Sequence, residues 1–266
     1  MRGDRTKGSD IMKVRALAAV AQLGLIALLA QGAPAMAAEV KVLAGAALRG
    51  AFGELVPKFE GATGHKLVIE YGATGTFKSK VEAGEAVDLV IIGAEGVDDL
   101  IKQGKIAADT RIEIARVGIG MAVRAGAPKP NISSVDAFKG ALVNAKSITY
   151  TPEGAAGTQV TKVLDRLGIA EQMKSKTKAN APDRVPQAVA EGEAELAIAS
   201  SPSLVGVKGV DFVGLLPSDL QSYFINTAGV VTAAKQPEAA KAFVKHLTTP
   251  EAAAVIKAKG MEPMSR

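Results

Sequence analysis

Apolar residues along this chain alternate between two periods. Val40-Lys41-Val42-Leu43 has the β-branched run of a strand. From Leu48 the spacing changes, and Phe52, Leu55, Val56 and Phe59 fall at i, i+3, i+4 and i+7, one face of a helix. Pro57 predicts a kink in that helix, and Gly61 to Gly64 the turn that leaves it. Strand and helix then follow again. Leu67 to Tyr71 reads as a strand, and Thr76 to Ala83 as a helix closed by Gly84. Val87 to Ile92 is a nearly unbroken apolar run, as expected of a strand buried on both faces. Val97 to Gln103 is a short helix stopped by Gly104, and Ile112 to Val123 a long strand. The pattern restarts with a strand at Ile148 to Tyr150, a helix at Gln159 to Leu167 and a helical stretch at Val185 to Ala190. Leu196 to Ala199 is a buried strand, and a second long strand runs from about Phe224 to Ala233. Two terminal helices begin at Pro237 and Pro250, each followed by a glutamate that suits the helix dipole. This order predicts an α/β fold of two lobes, each a mainly parallel sheet flanked by helices. The expected division is residues 38–120 for the first lobe, 121–228 for the second, and 229–266 returning to the first.

Four apolar runs end in loops of small residues: Ala44-Gly45-Ala46-Ala47, Gly72-Ala73-Thr74-Gly75-Thr76, Gly154-Ala155-Ala156-Gly157-Thr158 and Ser200-Ser201-Pro202-Ser203. A helical pattern follows three of them. Small residues there leave backbone N–H groups bare, and a helix start adds partial positive charge, so each junction is a potential anion cradle. The ligand cleft is expected between the lobes, at the C-terminal ends of the strands.

Composition narrows the setting. Lys13 and Arg15, the uncharged run Ala16 to Ala30 and Ala35-Met36-Ala37 have the form of a cleavable export leader over residues 1–37, with Met12 as an alternative start. An N-terminal membrane anchor is the rival reading. A cleaved chain would work in the periplasm. Arg2, Arg5, Lys7, Lys13 and Arg15 against Asp4 and Asp10 place +3 of the formal +5 in this leader. The remaining +2, without a basic stripe, gives no footing for nucleic acid. There is no cysteine, which removes disulfides and thiolate chemistry. With no Trp and three Tyr, the chain has few rings on which to stack a sugar.

No Walker loop, H-E-x-x-H or G-x-S-x-G is present, and His65 and His246 have no metal-ligand partner at useful spacing. Neither an enzyme nor a cofactor is expected. Thr74 is read as a ligand donor and Thr76 as the helix cap. Asp88 reads as a structural carboxylate, Glu153 as an outward helix-start residue and Arg184 as a surface residue. Arg49, in the first turn of a helix, has two readings: a solvated arginine, or one that grips a carboxylate in the cleft. A buried tetrahedral oxyanion held by neutral donors needs no arginine, so a cleft-facing Arg49 points to an organic acid.

Several ordered markers carry a resemblance. They are Val42 to Leu48; Phe59-Glu60 with Thr63-Gly64; Tyr71 to Thr76 leading to Val81-Glu82-Ala83-Gly84; Val87-Asp88-Leu89; Pro152-Glu153 with Ala156-Gly157; Leu167-Gly168; and Phe243 to Leu247 before Pro250-Glu251-Ala252-Ala253. In order and spacing they resemble the type II periplasmic solute-binding proteins of ABC importers, within them the molybdate-binding family. The resemblance implies a monomer that closes over molybdate or tungstate and passes it to an ABC permease in the inner membrane. It implies a ligand set at Ala46 and Ala47, at Ala73, Thr74 and Gly75, at Ala156 and Gly157, at Val185, and at Ser200 or Ser201. The family's serine before the first helix is here Ala47, and its late tyrosine falls at Ser200 or Ser201. The backbone cradle is kept while two side-chain donors are replaced. A small organic carboxylate held through Arg49 is the alternative ligand, and an exported sensor or accessory subunit the alternative role.

Overall fold

The computed structural model describes residues 37–264, so the leader reading lies outside the described residues except for Ala37. The chain alternates as expected through β1 (Glu39–Gly45), α1 (Arg49–Thr63), β2 (Lys66–Gly72), α2 (Thr74–Glu82), β3 (Leu89–Gly93) and α3 (Ala94–Lys102). A 3-10 turn, Ala46–Leu48, joins β1 to α1. Helix α1 runs unbroken through Pro57 to Thr63 and stops at Gly64, φ +74°. Gly61 is therefore helical and not part of a turn. Pro57 is tolerated because it lies on the exposed side, four residues after the exposed Gly53, whose carbonyl can bond to water.

The run Ile112 to Val123 is not one strand. It divides at Gly118 into β4 (Ile112–Val117) and β5 (Ile119–Arg124), which belong to different sheets. A Cβ at Gly118 would stand 3.1 Å from side-chain atoms of Gln221 and Leu215 and 3.2 Å from Tyr223, so a larger residue at this crossing would have to displace those side chains slightly. The chain continues through α4 (Val135–Asn144), β6 (Ile148–Tyr150), α5 (Gly154–Arg166), α6 (Ala170–Lys174), β7 (Thr177–Ala179) and α7 (Arg184–Ala190). Then come β8 (Leu196–Ser200), α8 (Ser201–Leu204), β9 (Val210–Leu215), β10 (Phe224–Val230), α9 (Pro237–Leu247), α10 (Pro250–Ala258) and β11 (Glu262–Pro263).

The first sheet has the order β11-β4-β10-β3-β1-β2, the second β7-β6-β8-β5-β9. Strands β3, β1 and β2 run parallel, as do β7, β6 and β8, and the remaining pairings are antiparallel. Because β10 pairs with β3 and β4, the second crossing falls between Leu215 and Phe224, ahead of the expected boundary at 228. In the first lobe Phe52 and Phe59 on α1 meet Phe243 on α9, with ring centroids 5.5 and 5.0 Å apart. Each is 1 % exposed or less, worth about 1.5–3 kcal/mol of transfer free energy per side chain. The second lobe builds its own core from Phe138, Leu142, Ile148, Val160, Leu164 and Ile198.

Candidate ligand site between the lobes

β1 and β2 run in register and end together at Gly45 and Gly72, and β3 ends at Gly93. The 3-10 turn, α2 and α3 start from those three glycine-ended strands. No side chain caps the N-terminus of the 3-10 turn, α2, α5 or α8. Three other helices, α4, α9 and α10, have side-chain acceptors at their starts. Ser134 accepts from the N–H of Ala137 at α4, and Thr249 from that of Ala252 at α10. Asp88 accepts from the N–H groups of Lys235 and Gln236 at the start of α9, and from Lys41. Uncapped first-turn N–H groups need water or a ligand, but the expected cradle starts share that condition with α1, α3, α6 and α7, and at α8 the N–H of Ser201 is taken by Gly118 O.

Thr74 is the first residue of α2, and its Oγ1 accepts from the N–H of Gly93 at 3.0 Å. Its lone pair ties two strand ends together, while its hydroxyl proton stays available. Ala73, not Thr76, holds the cap position. Gly75 is exposed in the first turn, with open space for 4 Å around the point where a Cβ would stand. Ala156 is half-buried on the second core. Gly157 is a close-approach glycine: a Cβ there would lie 2.0 Å from the carbonyl oxygen of Thr151. Val185 is 1 % exposed and its N–H donates to Ala181 O, so neither its side chain nor its N–H is free in this conformation. Ser201 is also occupied. It is fully buried, its N–H donates to Gly118 O, and its Oγ donates to Gly260 O at 2.6 Å. Ser200 is half-buried and shares a 2.7 Å hydrogen bond with the exposed Ser203.

A cavity of about 390 Å3 lies where the lobes meet. Ala46, Ala47, Arg49 and Lys259 line it from the first lobe, and Pro202, Ser203, Val205 and Gly206 from the second. Arg49 lines the interlobe pocket as an exposed residue, its guanidinium 4.3 Å above the ring of Tyr71. That stacking holds the cation in place and leaves its N–H edge usable. Burial pushes the Tyr71 hydroxyl above the usual phenol range, and the charge of Arg49 partly offsets it. The other expected residues, Ala73 to Gly75, Ala156, Gly157, Val185, Ser200 and Ser201, do not line this pocket. A larger cavity, about 560 Å3, is confined to the second lobe beside the 127–131 segment and touches none of these helix starts.

Lys259 and Ser203 are the other polar residues of the lining; Ser203 belongs to a loop that the sequence marks as a cradle, but Lys259 is not singled out. Nothing local marks Lys259, which lies 210 residues from Arg49 in the chain. The structural readings fit elsewhere. Asp88 serves three backbone donors, Arg184 pairs with Glu191 and Glu193, and Glu153 is exposed at the α5 cap. His65 Nδ1 accepts from the N–H of Ala38, and His246 packs on Phe59. Among the described residues no group of three His, Asp or Glu could hold a metal ion.

The sequence profile of the bacterial extracellular solute-binding proteins matches residues 40–262. The chain is 33% identical over 252 residues to the aconitate isomerase of a Pseudomonas species, covering 91% of this chain and 96% of that one. It is 32% identical over 253 residues to the molybdate-binding protein of Azotobacter vinelandii, covering 89% and 93%. The solved structure of that periplasmic molybdate-binding protein superposes with a TM-score of 0.62 at 22% identity, over 84% of this chain and 98% of the other. Two sheets flanked by helices and a profile match across both lobes make this chain a member of the bacterial extracellular solute-binding protein family.

Proposed function

We propose that this protein captures a small organic polycarboxylate outside the cytoplasm, closes its lobes over it and delivers it to an ABC permease. The observation that carries the reading is Arg49, stacked on Tyr71 within the interlobe pocket. A guanidinium presents paired N–H donors that match a planar carboxylate bidentately. Open helix starts and Lys259, which also pairs with Glu54, would take further carboxylate groups. The alanine at position 47 agrees with this, since it removes the hydroxyl with which the molybdate-binding family meets its oxyanion. So does the likeness to an aconitate isomerase, since aconitate is itself a tricarboxylate.

Molybdate or tungstate is the second reading, favoured by the likeness to a molybdate-binding protein and by the neutral donors at the helix starts. Turnover is a third, favoured by the isomerase relative. Moving a double bond needs a group that takes a proton from one carbon and returns it to another. Of the residues lining the pocket only Lys259 could exchange a proton, and it is paired with Glu54, so capture without turnover is preferred.

Titration calorimetry with cis-aconitate, trans-aconitate, citrate, molybdate, tungstate and sulfate separates the first two readings. A carboxylate should bind, and Arg49→Ala should weaken it about 10- to 100-fold, the worth of a charged hydrogen-bond pair. Binding of molybdate alone, unchanged in Arg49→Ala, would overturn the proposal. Proton NMR of cis-aconitate left with the protein tests turnover, since an isomerase would accumulate the trans form.

A further inference from the structure

Ser201 ties the two lobes together. It stands at the start of α8, directly after β8, and so belongs to the second lobe. Its Oγ donates to the carbonyl of Gly260 at 2.6 Å. Gly260 lies between α10 and β11, and β11 pairs with β4 in the first sheet, so the acceptor belongs to the first lobe. The donor is 0 % exposed, and its own N–H is held by Gly118 O at 2.9 Å, on the first crossing of the chain. The acceptor is shaped for the contact. Gly260 ends α10 with φ +80°, a conformation that favours glycine, and the N–H of Met261 returns to Ile256 O. A Cβ at 260 would stand 2.7 Å from Cγ2 of Val205 and 3.1 Å from Ser201 O, so the close approach of α8 asks for glycine as well.

The bond adjoins both walls of the interlobe pocket. Pro202, Ser203 and Val205, which follow Ser201, line it from the second lobe; Ala258 and Lys259, just before Gly260, line it from the first. Elsewhere the two crossings are laced by the amide of Gln221, which accepts from the N–H of Ile119 and donates to its carbonyl, each at 2.8 Å. The lobes are therefore joined by two covalent crossings and by a third tie that can open without breaking the chain.

We propose that the Ser201–Gly260 hydrogen bond is a clasp that holds the lobes closed, so that Ser201 is a positioning residue and not a ligand donor. This rests on the reading that a ligand is captured between the lobes, but not on which ligand it is. A hydroxyl has one proton to donate, and that of Ser201 is used by Gly260 when the pocket is shut. Opening the pocket draws its walls apart and breaks the bond. A clasp of this kind favours the closed state for every ligand alike, so it sets how long a ligand is retained and leaves the choice of ligand to the pocket.

The test uses the absence of cysteine: Lys58→Cys on α1 and Lys208→Cys between α8 and β9, both exposed, take spin labels there alone. Without ligand, adding Ser201→Ala to this labelled pair should move the population towards a longer distance between the labels. Gly260→Ala should do the same, because its methyl pushes on Val205 while the hydroxyl stays. Stopped-flow dissociation of cis-aconitate and of molybdate is followed on the unlabelled proteins. Each probe that wild type binds should leave Ser201→Ala about 2- to 10-fold faster, and by the same factor, as expected for the net loss of one hydrogen bond. Thermal unfolding checks that each variant is folded. Label distances unchanged in both Ser201→Ala and Gly260→Ala would overturn the proposal, whether or not stability falls, because the bond would then be structural only. Faster release of one probe but not of the other would overturn it too, since Ser201 would then touch ligand. If wild type binds neither probe, the ligand reading fails by itself, and the label distances still judge the clasp.

Discussion

Replacing Asp88 by alanine should destabilise the first lobe without touching the cleft. The carboxylate is 4 % exposed and accepts from Lys41 N at 2.9 Å, Lys235 N at 2.7 Å and Gln236 N at 2.9 Å. It thereby joins β1 to the start of α9, 147 residues away in the chain. Removing it orphans three donors. A buried donor left unpaired costs about 1–3 kcal/mol, and these are partly buried, so the low end applies to each. Loss of the anion at the N-terminus of α9 adds roughly 0.5 kcal/mol. The sum is about 3–5 kcal/mol, and at about 2–4 °C per kcal/mol for a unit of this size the midpoint should fall by roughly 6–20 °C. Asn at 88 keeps one acceptor oxygen and should fall between wild type and alanine. Thermal unfolding followed by circular dichroism reads both. An alanine variant within about 2 °C of wild type would refute the reasoning, because it would mean that water or a backbone shift satisfies all three donors.

Gly157→Ala should cost about 2–4 kcal/mol by forcing the β6–α5 junction to move, since its Cβ would lie 2.0 Å from one carbonyl oxygen and 2.4 Å from the next. Urea unfolding measures the loss, and an unchanged midpoint would show that this junction is not rigid. Arg111 holds the Asp98 carboxyl below its usual range, chiefly by hydrogen bonding. For a carboxylate depressed in this way the stabilisation is full above the unfolded value and is lost as pH falls through the folded one. Both side chains are about a third or more exposed, so the effect is below about 1 kcal/mol. Arg111→Gln should therefore lower the urea midpoint slightly at about pH 6, and the difference from wild type should shrink as pH falls below the ordinary aspartate value of about 3.9.

The α/β order, the glycine stops and the first-turn prolines are legible in the sequence because each depends on local chemistry. The break at Gly118 is not. Both halves of Ile112 to Val123 are apolar whichever sheet they enter, and only the distant pairing with β10 or β8 separates them. Helix α4 is hard to read although Ser134 caps it, and so is β9, whose alternation is interrupted by Asp211. Among the site residues, small-residue loops mark the helix starts. They do not say which hydroxyls the fold consumes. Thr74 and Ser201 are bound to Gly93 and Gly260, partners 19 and 59 residues away. Arg49 has two readings in the sequence because its direction depends on Tyr71, on a neighbouring strand.

The second lobe is inserted into the first, entering after Val117 and leaving before Phe224, two residues that pair side by side. This has a consequence for synthesis. A chain made from its N-terminus presents β1, α1 and β3 first, but the aromatic partner Phe243 and the amides that close on Asp88 come far later, Lys235 being 147 residues on from Asp88. The inserted lobe has all its strands between Ile119 and Leu215, so its sheet needs no strand from the first lobe. The half made first must therefore be finished last, with Phe52 and Phe59 uncovered in the meantime. Contacts this distant are slow to form, and that interval is when the chain most needs a chaperone or a delayed release to keep from aggregating.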